Sequence, residues 1–232
     1  MRRHRRQLAV QRLMTNLLTR ARVAERDPLI GAGSESDAGH KSRGALIILI
    51  GPDGVGKTTV ARALGAAYGG PSGYFHFVPP IGARLSAEPP DSAPHLGKGR
   101  PGGSRLLGCA RLLRNVARFW LAYVIRVRPA MAKGTLVIGD RGMFGYLVQP
   151  HALKFYGPSS FARRMLRLLP APALVVNLAA PPHVVRARKQ ELSLDQIARE
   201  LRDWRGIPAT RLITLDATAT PDEIARRVLL EL

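Results

Sequence analysis

The stretch Gly51-Pro52-Asp53-Gly54-Val55-Gly56-Lys57-Thr58-Thr59 has the spacing G-x-x-x-x-G-K-[ST], which suits one kind of chemistry: holding a row of phosphates. A triphosphate is a cluster of negative charge that must be gripped with water excluded. Glycines at 51, 54 and 56 carry no Cβ, so backbone N–H groups there can turn inward and approach an anion closely. Lys57 can set its ammonium on the β and γ phosphates, and the Thr58 hydroxyl can ligate Mg²⁺. A second chemical pair is Asp140-Arg141, directly after the apolar run Leu136-Val137-Ile138-Gly139. An acid at the carboxyl end of a buried strand in a phosphate-loop protein suits a second Mg²⁺ anchor, and the arginine beside it would point into the same crevice. A surface ion pair at a strand end would use the same two residue types.

These residues need particular elements around them. Leu46-Ile47-Ile48-Leu49-Ile50 reads as a buried strand, and Val60, Ala61, Leu64 and Ala67 recur at helical spacing after the loop. The order strand, glycine loop, helix puts a positive helix end at Lys57. Further strands are expected at Tyr74–Val78, Leu136–Gly139, Ala173–Leu178 and Arg211–Leu215, with helices between them. That alternation predicts an α/β fold of the P-loop NTPase kind: a three-layer sandwich with a five-stranded parallel sheet and helices on both faces. Ser193-Leu194-Asp195-Gln196 and Thr220-Pro221-Asp222-Glu223 have the spelling of capping boxes and start two helices.

A long amphipathic helix is expected over about 105–127. Its core stripe is read as Leu106, Ala110, Leu113, Ala117, Trp120, Val124 and Val127, with Arg111, Arg114 and Arg118 on another face. That arginine row faces either an anionic acceptor or water. Trp120 and Cys109 are read as packing residues. His76 is a candidate base in a strand, or a structural histidine. Residues 79–103, rich in Pro, Gly and Ser, are expected to form a mobile loop.

The chain has 232 residues and a formal charge of +20, which favours anionic partners of any kind. No acid occurs between Asp91 and Asp140. No apolar run approaches the roughly 18 residues that span a bilayer, so no integral membrane segment is expected. The basic start is not followed by the apolar stretch of a secretory signal, and Cys109 is the single cysteine. Together these point to the cytoplasm. Residues 1–43 read as a basic extension: a helix over about 7–25 with Val10, Leu13, Met14, Leu17, Ala21 and Ala24 on one face, then a linker through Asp27-Pro28 to Asp37. The extension either docks on an anionic surface or partner, or is a tail or a helix packed on its own domain.

The phosphate loop with Asp53 at its third position, the Asp140-Arg141 pair, Pro150, Tyr156-Gly157-Pro158, and Pro181-Pro182 followed by Arg188-Lys189-Gln190-Glu191 together resemble thymidylate kinase and its nucleoside-monophosphate-kinase relatives. The resemblance covers residues 44–232. It implies a P-loop kinase domain in which Lys57 and the loop residues Gly51 to Thr59 hold ATP, with Thr58 and Asp140 holding Mg²⁺. Arg141 would grip an acceptor phosphate. Arg186 and Arg188 would sit on a lid. Asp53 would touch an acceptor sugar hydroxyl, and Asp216-Ala217-Thr218 would lie against adenine. Homodimers through the long helix are common among such relatives.

The chain departs from that family where the acceptor is read. Phe77-Val78-Pro79-Pro80 stands in place of an Arg-Glu-Pro-Gly stretch, Gly142 in place of an aromatic residue, and Gly145 and Gln149 where relatives tend to keep Asp. The later Ser…Ala-Tyr-Gln segment is missing. The resemblance therefore carries ATP and leaves the acceptor open, dTMP included. Two functions are expected to compete. One is phosphoryl transfer from ATP·Mg²⁺ to a small anionic acceptor. The other is a nucleotide-binding module with little kinase activity that uses its basic surface on an anionic partner. No DNA- or RNA-binding motif accompanies the charge, which ranks the binding module second and makes nucleic acid an unexpected partner.

Overall fold

The computed structural model describes residues 44–90, 102–190 and 192–232. The expected helix at 7–25, the linker after it, the middle of the 79–103 loop and Glu191 lie outside the described residues. The chain divides into two units, Met1–His40 and Lys41–Leu232, and the second contains all that follows.

Five strands form one sheet: β1 (Leu46–Ile50), β2 (Ser72–His76), β3 (Leu136–Asp140), β4 (Leu174–Ala179) and β5 (Leu212–Asp216). Their order is β2-β3-β1-β4-β5, and each neighbouring pair is parallel. Parallel strands need covered faces on both sides, so their sequences run apolar without alternation. The residues of β1 show how this works. Ile47 and Leu49 point into one core with Ile138 and Val176, while Leu46, Ile48 and Ile50 point into the other with Val137 and Val175. The strands begin and end within two residues of the expected bounds.

The first core is closed by α1 (Lys57–Ala67) and, from the chain's end, α8 (Pro221–Leu230), through Val60, Leu64, Ile224 and Val228. The second is closed by α2 (Arg105–Ala122) and, after the short α3 (Arg128–Ala132) and α4 (Gly145–Val148), by α5 (Ser159–Leu166). Leu112, Val116, Phe119 and Ala162 supply its apolar surface. Helices α6 (Pro182–Arg188) and α7 (Leu194–Arg205) follow β4. The Ser193 capping box is complete: its hydroxyl accepts from Gln196 N at 3.2 Å and Gln196 Oε1 accepts from Ser193 N at 2.9 Å. Thr220 Oγ1 caps α8 by accepting from Glu223 N at 3.3 Å.

Two expectations need correction. The long helix is continuous to Ala132 but passes through a π-helical segment, Tyr123–Val127. Pro129 sits just inside the helix that resumes there; it has no N–H to give to an i−4 carbonyl, so a normal ladder cannot run through that point. The core stripe of α2 is also not the expected one. Gly108, Leu112, Asn115, Val116, Phe119 and Ala122 are buried, whereas Leu106, Leu113 and Val124 are exposed and Trp120 is half-buried. Of the expected stripe only Val127 is buried. The described start of the expected loop, 79–90, returns along the open edge of β2, where Tyr74 and Ser86 exchange backbone hydrogen bonds of 2.7 and 3.2 Å. That pairing covers a sheet edge.

Candidate functional site

All five strands end at one rim of the sheet because all are parallel. The crossovers that leave β1 and β3, neighbours in the sheet, run in opposite directions along the strand order. A parallel sheet opens a crevice at such a point, beyond the strand ends. A cavity of about 550 Å³ lies there.

The loop between β1 and α1 forms its floor. Gly51, Gly54 and Gly56 have φ of 138°, 84° and 108°, a backbone region that side chains other than glycine rarely occupy. Gly56 is the residue before α1, and no side chain caps that helix start. Its first-turn N–H groups therefore remain available to an anion. No acidic residue occupies the first turn either.

Lys57 is buried, and its Nζ donates to the carbonyls of Gly51 and Pro52 at 3.0 and 2.9 Å. The ammonium thus lies curled over its own loop, 3.8 Å from Asp53 Oδ1. Burial lowers its pKa, while the charges of Asp140 and Glu200 pull the other way.

Asp140 closes β3. Its Oδ2 accepts from the Tyr74 hydroxyl at 3.1 Å and meets His76 Nδ1 at 3.2 Å. Its Oδ1 is buried without a hydrogen-bond partner. Burial alone would raise the carboxyl's pKa, but the Lys57 charge and the contacts from His76 and Tyr74 outweigh it and hold the group below its ordinary value. Tyr74 is pushed the opposite way, upward, by burial and by the neighbouring carboxylate.

Arg141 follows with φ 62° and ψ −38°, a positive φ that is unusual for a residue with a long side chain. It is buried and pairs with Asp53. Its Nη1 donates to Gln149 Oε1 at 2.6 Å, and Gln149 Nε2 donates to Glu200 Oε1 on α7 at 2.7 Å. A polar chain Asp53–Arg141–Gln149–Glu200 thus ties the loop between β1 and α1 to α7. Burial lowers the Arg141 pKa and Glu200 opposes that. From the end of α6, Arg188 reaches across the crevice: Nη1 donates to Val55 O at 3.0 Å and Nη2 to Ala217 O at 3.2 Å.

The cavity lining brings together Asp53, Gly54, Val55, Gly56, Lys57, Thr58, Thr59, Asp140, Arg141 and Arg188. Gly51 and Pro52 are buried and not among its lining residues; their carbonyls accept from Lys57 Nζ instead. Arg186 and Asp216 are not among its lining residues. Arg186 is exposed on α6, and Asp216 is exposed with its Oδ1 accepting from Thr218 N at 2.9 Å. From that segment Ala217 and Ala219 line the cavity instead. His76 also lines it. Tyr74, Glu200 and Lys189 belong to the site and were not singled out from sequence for it. Tyr74 had a signal available, since it lies two residues from His76 and so on the same face of the strand. Glu200 had none, because its partner Gln149 is far away in the chain.

The donor set is one that could take a magnesium ion together with phosphates, and not a metal ion held by protein groups alone. Among the described residues no three His, Cys, Asp or Glu side chains gather as a metal site. One unpartnered carboxylate oxygen on Asp140 and the hydroxyl of Thr58, at the start of α1, are the kind of sparse protein contribution that Mg²⁺ would take were phosphates to supply the rest. Among the described residues no helix is long and apolar enough to cross a membrane. The chain matches no protein-family model, and no curated protein matches it.

Proposed function

We propose that residues 44–232 form a P-loop kinase domain that transfers the γ-phosphoryl group of ATP to a small anionic acceptor, most plainly a nucleoside monophosphate or a related phosphorylated metabolite. One observation supports this above the others: an uncapped helix start, three glycines with positive φ and a buried lysine meet at a sheet rim beside a carboxylate with an unpartnered oxygen. That set of groups is suited to a polyphosphate and to little else of similar size.

In this reading, Lys57 exchanges its two loop carbonyls for phosphate oxygens, a stronger, charge-assisted contact. The amides of Gly54 to Thr58 cradle the phosphate chain. Magnesium would be held by Thr58 and Asp140 and would neutralise charge on the phosphate oxygens. Arg141, already fixed in place by Asp53 and Gln149, offers remaining guanidinium N–H groups to the acceptor. Arg188 closes the mouth from α6. Phosphoryl transfer asks for this kind of positioning and positive charge more than for a covalent catalyst.

The test is an ATP-consumption assay over nucleoside monophosphates and sugar phosphates, with Lys57→Ala as the control. ADP that forms only with an acceptor and vanishes in the variant supports the reading. Tight ATP binding without acceptor-dependent ADP from any of these compounds would count against it.

A further inference from the structure

Helix α2 carries two apolar stripes, and the sheet uses one. The other is turned outward. Leu106 is 84 % exposed, Leu107 65 %, Leu113 49 %, Leu121 49 %, Val124 51 % and Ile125 45 %. These make up most of the large apolar side chains that the described residues expose. Leu106, Ala110, Leu113, Ala117, Leu121 and Val124 follow one another at three- and four-residue steps, so they form a single band along the helix. Arg114 and Arg118 are exposed along one flank of that band, and Arg105 and Arg128 at its two ends.

The neighbouring helix extends the same chemistry. Trp120 Nε1 donates to Leu168 O at 2.9 Å, which fixes the end of α5 against α2. There Arg163, Arg164, Arg167 and Leu168 are exposed. From Ser92 to Gln190 the single acidic residue is Asp140, and it is buried in the phosphate-type site. The surface is thus leucine and arginine with no acid to offset it. Behind it, Phe119, Leu166 and Leu169 help to wall a cavity of about 190 Å³ that Arg163 and Arg167 also line.

We propose that this face docks on the surface of an anionic lipid bilayer. The leucine band would enter the headgroup–acyl boundary, and the arginines would pair with lipid phosphates, which a planar guanidinium meets with two parallel hydrogen bonds. The cavity beside it, apolar within and cationic at Arg163 and Arg167, suits the chain of an anionic lipid. A second copy of this chain is a poorer occupant. A two-fold pairing brings the same patch to both sides, so arginine rows would meet with no acid between them. An acidic amphipathic helix would match the charge, but such helices bind by lying in grooves, whereas a single helix band is convex. This inference stands on the outer face of α2 and is independent of phosphoryl transfer.

The experiment is flotation of the full chain with vesicles of phosphatidylcholine alone and of phosphatidylcholine with about one third phosphatidylserine. Two double variants are compared with the parent, Leu106→Ser with Leu113→Ser, and Arg114→Glu with Arg118→Glu. All four residues are exposed, so folding is expected to survive, and circular dichroism checks it. Residues 1–43 are the same in every protein, so any difference belongs to α2. The expected result is binding to anionic vesicles that exceeds binding to neutral ones, and a loss of about tenfold or more in either double variant. Three results overturn the proposal. One is no preference for anionic vesicles, and another is equal binding by parent and leucine variant. The third is that the face is used by protein instead: either a sedimentation dimer that the leucine variant abolishes, or a synthetic acidic amphipathic helix bound by the parent and not by that variant while vesicles stay unbound.

Discussion

His76 and Asp140 are register partners on adjacent parallel strands, and the histidine Nδ1 lies 3.2 Å from the carboxylate Oδ2. Tyr74, two residues earlier on the same face of β2, donates to the same oxygen. The carboxylate is held charged in a buried place by Lys57 and these two side chains, with a folded-state pKa below its ordinary value. A depressed carboxyl pKa contributes stability above the unfolded pKa and loses it as pH falls through the folded one. Asp140→Asn should therefore lower stability at pH 7 by roughly 3 kcal/mol, because it leaves Lys57 buried with less counter-charge. The gap to the parent should close as pH falls below the ordinary carboxylate range. Urea melts at pH 7, 5 and 3 measure it, and a gap that stays constant with pH would contradict the assignment.

Gln149 joins Arg141 to Glu200, with bonds of 2.6 and 2.7 Å. Gln149→Leu would leave a buried guanidinium short of an acceptor and a carboxylate oxygen short of a donor. The expected cost is about 1–3 kcal/mol in urea unfolding. Asp53 still holds Arg141 in this variant, so ATP affinity should change by less than about threefold while the acceptor KM rises more than that. If ATP affinity fell as far as acceptor affinity, Arg141 would belong to the nucleotide side of the site.

Gly56 and Gly69 both have positive φ, 108° and 71°. A Cβ on Gly69 meets nothing within 4 Å, and one on Gly56 meets only the far end of Arg188, at 3.7 Å. Alanine at either position therefore costs left-handed backbone strain without a serious clash, about 1 kcal/mol each. The two variants separate in function. Gly56→Ala tilts the amides at the start of α1 and should abolish the thermal stabilisation given by ATP·Mg²⁺, whereas Gly69→Ala should keep it. Differential scanning fluorimetry with and without nucleotide reads both effects, and equal nucleotide shifts in the two variants would remove the loop from the binding account.

The strands were legible because burial on both faces forces apolar runs, unbroken in Leu46–Ile50 and interrupted only by Asn177 in Leu174–Leu178. The two capped helices were legible because caps are local: Ser193 with Gln196 and Thr220 with Glu223 span three residues each. Helix α2 was misread for a physical reason. It has apolar residues on both sides, so periodicity finds the band Leu106-Leu113-Val124 as readily as the buried one with Leu112, Val116 and Phe119, and only the sheet decides between them. At the candidate site, the loop and Asp140-Arg141 could be read because each is contiguous in sequence. The contacts of Asp140 with His76 and of Gln149 with Glu200 depend on strand register and on where α7 lands, and one sequence holds neither.

Arg188 joins two sides of the cavity, donating to Val55 O on the loop and to Ala217 O beyond β5. Both acceptors are neutral carbonyls, so a polyphosphate entering the crevice offers the guanidinium a stronger, charged alternative. In the proposed kinase reading a nucleotide would have to break both of these bonds to gain that contact, an exchange that would keep the arginine's effect on ground-state affinity small. Its effect on the transferring phosphoryl group, where charge spreads over the equatorial oxygens, has no such offset. Arg188→Ala is thus expected to change ATP affinity by no more than about threefold while lowering kcat at least about tenfold, or roughly 1.4 kcal/mol of barrier. Arg188→Lys keeps the charge but has a single nitrogen to place, so it should recover only part of kcat. Titration of a fluorescent ATP analogue beside steady-state turnover would separate the two quantities. Equal losses in affinity and kcat/KM with kcat unchanged would make Arg188 a nucleotide-binding residue only, with no part in stabilising the transfer.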